Sequence, residues 1–168
     1  IATLYEGTTG VQALDLLGRK VLLHGGGKAI RDYTAGIMKW CGEYALDKEM
    51  RKYVWVLTKL CAEWNMLTAR LLLTARKDRD IVSAASDDFL MYSGYVMMAY
   101  HWARMAAVSF DKIKNGGEQP KEFYIAKTQT AEFYFEKILP RSSAHAESMT
   151  VPSETMMQMD IDHFAFLD

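Results

Sequence analysis

The stretch Ile81–Lys114 reads IVSAASDDFLMYSGYVMMAYHWARMAAVSFDKIK and decides the fold. Its apolar side chains recur every three or four residues, which is the spacing of one face of an α-helix. These positions are Phe89, Tyr92, Val96, Ala99, Tyr100, Ala103, Ala107 and Phe110. Small side chains at Ala99, Ala103, Ala106 and Ala107 would let a neighbouring helix approach closely. The stretch therefore predicts one long helix that packs tightly against another.

Four further helices are predicted from the same kind of periodicity and from residues that end helices. They cover Thr9–Leu23, about Lys28–Tyr44, about Lys48–Arg76 and about Pro120–Leu139. Glycine clusters, at residues 25–27 and 116–117, separate neighbouring helices. Asp47 is a candidate N-cap for the third helix, and Asp78 or Asp80 for the fourth. No stretch alternates apolar and polar residues as a strand would. The predicted fold is all-α, an antiparallel bundle of about five helices.

The chain after Pro140 has a different character and is rich in Ser, Met and Glu. We expect an irregular or docked C-terminal tail there. Phe164, Phe166 and Leu167 are candidates to hold its end against the bundle.

Composition limits the kind of protein this is. The 168 residues carry a net charge of -1, so no general attraction to nucleic acid or anionic membrane is expected. No apolar run is long enough to predict a transmembrane segment. The chain begins at Ile1 without a signal-peptide pattern, and we expect it to be a piece of a longer protein.

The sequence gives little indication of a metal site or of a nucleophilic catalytic residue. Helical bundles that hold two metals use Glu-x-x-His pairs, and none occurs here, so no metal site is predicted. His101 is interpreted as a helix-surface or core residue. Cys41 and Cys61 have no metal-type spacing and are interpreted as small core hydrophobes, in keeping with a reducing intracellular compartment. The glycines at 25–27 follow a helix and lack phosphate-loop spacing.

The best candidate for chemistry is the stretch Tyr5-Glu6-Gly7-Thr8-Thr9-Gly10-Val11-Gln12 with the following ALDLLGRK. Thr8 or Thr9 is a candidate N-cap for the first helix, whose apolar positions include Val11, Leu14 and Leu17. A carboxylate beside a helix N-terminus lies near exposed N–H groups and the positive end of the dipole. Glu6 is therefore either a reactive acid or part of a capped surface turn.

This stretch, residues 5–20, closely resembles the catalytic segment of flavin-dependent acyl-CoA dehydrogenases. Its last eight residues, ALDLLGRK, are similar to the same segment in the long bacterial branch of that family, whose members carry an extra C-terminal helical domain. The resemblance implies two parts of the chain. Residues 1–24 would end the catalytic helical domain, and residues 25–168 would form the appended helical bundle with its tail.

The resemblance also implies an activity, the oxidation of fatty acyl-CoA to trans-2-enoyl-CoA. Glu6 would be the base that takes the α-proton, while a hydride passes to FAD. Tyr5, Glu6 and Gly7 would contact the substrate. Thr8, Thr9 and Gly10 would contact FAD, although Gly10 stands where several relatives have a larger polar residue.

Partners and location follow from the same resemblance. Acyl-CoA would be the substrate and an electron-transferring flavoprotein the electron acceptor, in a cytoplasmic homo-oligomer, a dimer or tetramer. The chain by itself is expected to be inactive, because the rest of the flavin and acyl sites would lie upstream of Ile1. Two alternatives stay open. One is an acyl-CoA oxidase-like paralogue, and the other is a helical bundle with a purely structural or oligomerisation role.

Overall fold

A computed structural model describes residues 7–164, and over these residues the protein is all-α. The first helix, α1, has an α-helical part, Thr9–Leu14, and a π-helical part, Asp15–Leu23. The other main helices are α2 (Lys28–Glu43), α3 (Arg51–Thr74), α4 (Asp80–Asn115) and α5 (Lys121–Phe133). The predicted fold class is confirmed, and α1 to α4 lie within about three residues of their predicted bounds. The fifth helix was predicted to reach Leu139, but its α-helical part ends at Phe133.

The chain continues beyond α5 in short helical segments. A π-helical turn, Tyr134–Ile138, and a 3₁₀ turn, Leu139–Arg141, lead into α6, Ser142–Ser148. A further short helix, α7 (Glu154–Met157), and a 3₁₀ turn (Ile161–Phe164) follow. Phe166 and Leu167, which were predicted to hold the end of the tail, lie outside the described residues, as does the side chain of Phe164.

The long helix α4 is the centre of the bundle, because α1, α3, α5 and α6 all contact it. Its small side chains Ala99, Ala103 and Ala106 are fully buried. A helix with small residues on its contact face lets its neighbours come near, since less side-chain volume separates the backbones. The prediction of close helix packing on this face is confirmed.

Neighbouring helices run antiparallel, as contacts along each pair show. A Cβ atom at Gly27, just ahead of α2, would lie 3.1 Å from Thr68 Cγ2, late in α3. Asn65 of α3 donates a hydrogen bond to Thr34 Oγ1 of α2 at 2.7 Å. The start of α3 meets the end of α4 where Lys114 Nζ lies 3.0 Å from Glu49, just ahead of α3. In α5, Tyr124 lies beside the C-terminal part of α4, whereas the hydroxyl of Tyr134 donates to the carbonyl of Tyr95 at 3.0 Å.

The core has two clusters of buried side chains along the bundle. The larger aromatic residues Tyr53, Trp64, Phe89 and Tyr92 are almost completely buried and carry much of the apolar area. Cys41 and Cys61 are buried among them as free thiols, which confirms their interpretation as core residues.

Two aspartates organise the turns between the long helices. Asp47 Oδ1 accepts hydrogen bonds from the amides of Glu49, at 2.8 Å, and Met50, at 3.1 Å. It therefore caps the turn that precedes α3, while the helix itself begins at Arg51. Asp78 Oδ1 accepts a hydrogen bond from the amide of Asp80 at 3.0 Å. Asp78 therefore caps the turn before α4, as Asp47 caps the turn before α3. Of the two N-cap candidates for α4, it is Asp78 that binds the backbone.

The tail is docked where it follows α5, since α6 packs against α4. Ser153 then donates a hydrogen bond to Asp78 Oδ2 at 2.5 Å, which joins the tail to the turn before α4. Among residues 7–164, none of the helices combines the length and hydrophobicity that crossing a membrane requires.

Candidate functional site

The proposed site begins ahead of α1, and the structure describes its second half. Tyr5 and Glu6 lie outside the described residues. Gly7 has a φ of 93°, and a Cβ atom there would lie 3.3 Å from Val11 Cγ1. Because positive φ is strained for residues with a side chain, this position favours glycine. Gly7 thus turns the chain sharply just before the helix.

Thr8 occupies the N-cap position of α1, with an extended backbone at φ -70° and ψ 163°. Its side chain makes no capping hydrogen bond, so the prediction of a threonine side-chain cap at Thr8 is wrong. The carbonyl of Thr8 instead accepts a hydrogen bond from the amide of Gln12 at 3.1 Å. The side chains of Thr8 and Thr9 are exposed, which leaves both hydroxyls accessible.

The buried face of α1 differs from the one predicted. Leu17 is buried as expected, but Val11 is 59% exposed and Leu14 is 42% exposed. The residues buried with Leu17 are Ala13 and Val21. Ala13, Leu17 and Val21 are four positions apart and so share one face of the helix, whereas Val11 and Leu14 lie off that face. In the π-helical part the amide of His24 donates to the carbonyl of Arg19, five residues earlier, at 3.0 Å.

Asp15 is the carboxylate that α1 itself contributes, and it is held in ion pairs. It bonds to Arg19, and Lys20 Nζ lies 3.1 Å from its Oδ2 atom. Hydrogen bonds from Arg19 and then Lys20 lower the pKa of Asp15 to about 2. A carboxylate that stays ionised and paired is a weak proton acceptor at neutral pH, so Asp15 is unsuited to act as a base.

The start of α1 has features that anion-binding sites use. The first amides of a helix have no intrahelical partner and attract anions. Here those amides stand beside the accessible hydroxyls of Thr8 and Thr9. A Cβ atom at Gly10 would meet no atom within 4 Å, so space remains next to the turn. The described segment therefore offers hydroxyls, amides and room for a phosphate-bearing group.

Other candidate residues behave as structural groups. His101 is exposed and its ring lies 5.6 Å from that of Tyr100, which confirms its place on a helix surface. Burial raises the pKa of the Cys41 thiol and raises that of Cys61 to about 12, so both thiols are unreactive near neutral pH. The part of the chain that the structure describes has no group of three or more potential metal ligands.

One polar cluster was not predicted from the sequence. His145 Nδ1 and Ser148 Oγ contact the two oxygens of Asp88, at 2.7 and 2.6 Å. Although it contains Ser, His and Asp, this cluster is not a catalytic triad. In a triad the serine bonds to the histidine, whereas Ser148 bonds to the carboxylate. The cluster instead attaches α6 to α4.

Residues 28–160 match the family described as acetyl-CoA dehydrogenase C-terminal like. The chain is also similar to 3-methylmercaptopropionyl-CoA dehydrogenase of Ruegeria pomeroyi, with 30% identity over 158 residues, 94% of this chain and 26% of that protein. Another relative is the broad-specificity linear acyl-CoA dehydrogenase FadE5 of Mycobacterium tuberculosis, with 26% identity over 167 residues, 95% of this chain and 27% of that protein. The chain thus spans about a quarter of the length of these curated relatives. Because the family match covers most of the chain, it belongs to the acyl-CoA dehydrogenase family as a C-terminal-like region.

Proposed function

We propose that this chain is the C-terminal part of a FAD-dependent acyl-CoA dehydrogenase that oxidises fatty acyl-CoA to trans-2-enoyl-CoA. The observation that carries the proposal is the motif from Tyr5 to Gln12, which runs directly into the start of α1. The family match over residues 28–160 and the names of both relatives support the same reaction class.

Glu6 is the proposed catalytic base. Removing a proton from the carbon next to a thioester needs a base held close and a polarised carbonyl that spreads the negative charge. The Glu6 carboxylate takes the Cα proton as the Cα–Cβ double bond forms, and the Glu6 amide donates to the thioester oxygen. Tyr5 and Gly7 flank the base and contact the substrate. The positive φ of Gly7, 93°, supports this role, because it puts a sharp turn directly after Glu6 in the sequence.

The residues proposed to hold FAD are Thr8, Thr9 and Gly10. The accessible hydroxyls of Thr8 and Thr9 bind the dinucleotide together with the first amides of α1. Gly10 leaves room for its approach. When bound, FAD supplies the acceptor for the hydride that leaves the substrate Cβ.

The proposed enzyme has residues 1–24 in its catalytic domain and residues 25–168 as an appended bundle. The bundle covers the active-site region or joins subunits of a homo-oligomer. Electrons pass on to an electron-transferring flavoprotein, and the enzyme works in the cytoplasm. Val11 and Leu14 on α1 are exposed apolar residues. Their exposure supports the proposal that other parts of the enzyme pack against the start of this chain.

The test is Glu6→Gln in the full-length enzyme. We expect acyl-CoA oxidation to fall by roughly 10²–10⁴-fold, the range for loss of a general base, with the FAD absorbance retained. Asp15→Asn is the matched control, because Asp15 is a carboxylate of the adjoining helix that is already paired, and turnover should be kept. Unchanged turnover in Glu6→Gln would instead support a purely structural role.

Two further measurements separate the alternatives. Reduced full-length enzyme that reacts slowly with oxygen is a dehydrogenase, whereas rapid hydrogen peroxide production would assign an acyl-CoA oxidase. The isolated 168-residue chain is expected to be inactive. Stoichiometric bleaching of flavin by acyl-CoA in that chain would refute this expectation.

A further inference from the structure

A cavity of about 580 Å³ lies between α2, α4 and α5, and no residue of α1 lines it. Trp40 and Tyr44 form one wall, with ring centroids 4.8 Å apart. Val108 of α4 and Phe123 of α5 contribute further apolar side chains to the lining. Its volume is within the range of sites for small organic molecules, which are mostly apolar with a few polar groups.

The charged side chains at this cavity are all basic. Arg104 and Lys127 line it together with His101, and the lining contains no aspartate or glutamate. The Arg104 guanidinium lies 5.5 Å from the ring of Tyr100, and Lys127 Nζ lies 5.2 Å from the ring of Phe123. Within residues 7–164 neither cation pairs with a carboxylate. Contacts with rings do not neutralise a cation, so both charges remain available to an anion.

Ser109 adds a neutral polar group to the lining of the cavity. The residue is only 3% exposed, and its hydroxyl makes no hydrogen bond to another described residue. Since Ser109 lines the cavity, its hydroxyl is placed to bond with a molecule inside it.

We propose that this cavity binds a small organic monocarboxylate with an apolar body. The carboxylate binds between Arg104 and Lys127, and the apolar body packs against Trp40 and Phe123. The charge selects an anion, because a charge-assisted hydrogen bond to a carboxylate is stronger than one to a neutral group. The aromatic walls favour an organic anion over a small hydrated anion such as phosphate, which has no apolar surface to bury. This site is independent of the function proposed for Glu6.

The first test compares two probes of the same shape with the 168-residue chain. Isothermal titration measures binding of 2-naphthoate and of its neutral analogue 2-naphthamide. We expect 2-naphthoate to bind at one site at least about tenfold more tightly. It should also quench tryptophan fluorescence, and Trp40→Phe should remove that quenching. Equal affinities for the two probes, or no binding of 2-naphthoate, would overturn the proposal.

The second test locates the carboxylate. The double variant Arg104→Gln/Lys127→Gln should weaken 2-naphthoate binding at least about tenfold. Lys59→Gln is the matched control, because Lys59 also lies over a ring, that of Trp55 at 5.4 Å, but outside this cavity. Its affinity should equal that of the unsubstituted chain. An unchanged affinity in the double variant, or an equal loss in the control, would contradict the assignment. The comparison of the two probes remains decisive if the double variant does not fold.

Discussion

His145 Nδ1 lies 2.7 Å from Asp88 Oδ1 and joins α6 to α4 between residues that are 57 positions apart in the chain. The second oxygen of Asp88 accepts a hydrogen bond from Ser148 at 2.6 Å. The ring of Tyr95 stacks on the imidazole at 5.7 Å. One carboxylate on α4 therefore holds two side chains of a seven-residue helix that is too short to be stable alone.

Asp88→Ala should loosen α6. Hydrogen bonds to a charged group contribute about 1.5–3 kcal/mol each when buried, and partial exposure here reduces the expected loss to about 1–2 kcal/mol. Urea unfolding measures that loss, and amide exchange of residues 142–148 should become faster. Asp87→Ala is the control, since Asp87 is the exposed neighbour of Asp88 and its substitution changes charge and helix propensity by the same amount. Equal stabilities of the two variants would show that the Asp88 cluster does not hold α6.

Gly27→Ala should destabilise the turn between α1 and α2. Gly27 has a φ of 77° ahead of α2, and an added Cβ atom would lie 3.1 Å from Thr68 Cγ2. The left-handed backbone alone costs a residue with a side chain about 1–2 kcal/mol. Thermal unfolding should therefore show a lower midpoint. Gly36→Ala provides the opposite case, because Gly36 lies inside α2 with no atom within 4 Å of an added Cβ. It should stabilise the protein by about 0.5–1 kcal/mol, and a loss of stability there would contradict the account.

Tyr92→Phe should cost about 1–2 kcal/mol, because it removes a buried hydroxyl and leaves its acceptor unpaired. That hydroxyl donates to Glu63 Oε2 at 2.8 Å and lies 3.2 Å from the carbonyl of Leu60. Tyr95→Phe is the control, since the Tyr95 hydroxyl bonds to no residue that the structure describes. Denaturant midpoints of both variants check the difference. Similar midpoints would mean that the bond between α4 and α3 adds little.

Stability should fall at alkaline pH. Burial, and to a lesser extent the neighbouring Cys41, raises the pKa of Cys61 from 9.0 to about 12. The unfolded chain therefore releases this proton at lower pH than the folded chain. The contribution is fully present below pH 9.0 and is lost as pH rises towards about 12. Burial raises the pKa of Tyr134 to about 12, which acts in the same direction.

Urea midpoints at about pH 8 and about pH 10 measure this dependence. Cys61→Ala should lower both midpoints, because it leaves a cavity, and should also reduce the difference between them. The variant is thus its own control, since only the difference depends on titration. A difference as large as that of the unsubstituted chain would exclude Cys61 as the source.

The helices and the core could be predicted because their signals are local. Apolar residues at helical spacing give the buried faces, and glycine clusters mark the breaks. The alanines of α4 and the cysteines of α2 and α3 are buried as their patterns indicate. In these segments intrinsic propensity and tertiary packing favour the same structure.

The remainder depends on contacts between distant parts of the chain. The sequence SSAHAES of α6 has no apolar stripe, and its helix is held by Asp88 on α4. The cavity near Trp40 is lined by residues of three helices. No local sequence pattern predicts how each of these helices is rotated about its axis, so the cavity could not be predicted. The motif around Glu6 was found by its resemblance to a family, whereas helical periodicity gave only a turn and a helix.

The buried face of α1 yields the last prediction, which concerns two leucines three positions apart. Leu17 is 0% exposed and packs in the core with Val21, whereas Leu14 is 42% exposed. Leu17→Ala removes buried apolar atoms and leaves a cavity, so it should cost about 2–5 kcal/mol. Leu14→Ala should cost less than about 1 kcal/mol in this chain, because its side chain already contacts solvent. Urea unfolding of both variants distinguishes the face through Ala13, Leu17 and Val21 from the predicted face through Val11, Leu14 and Leu17, for which the two losses would be similar.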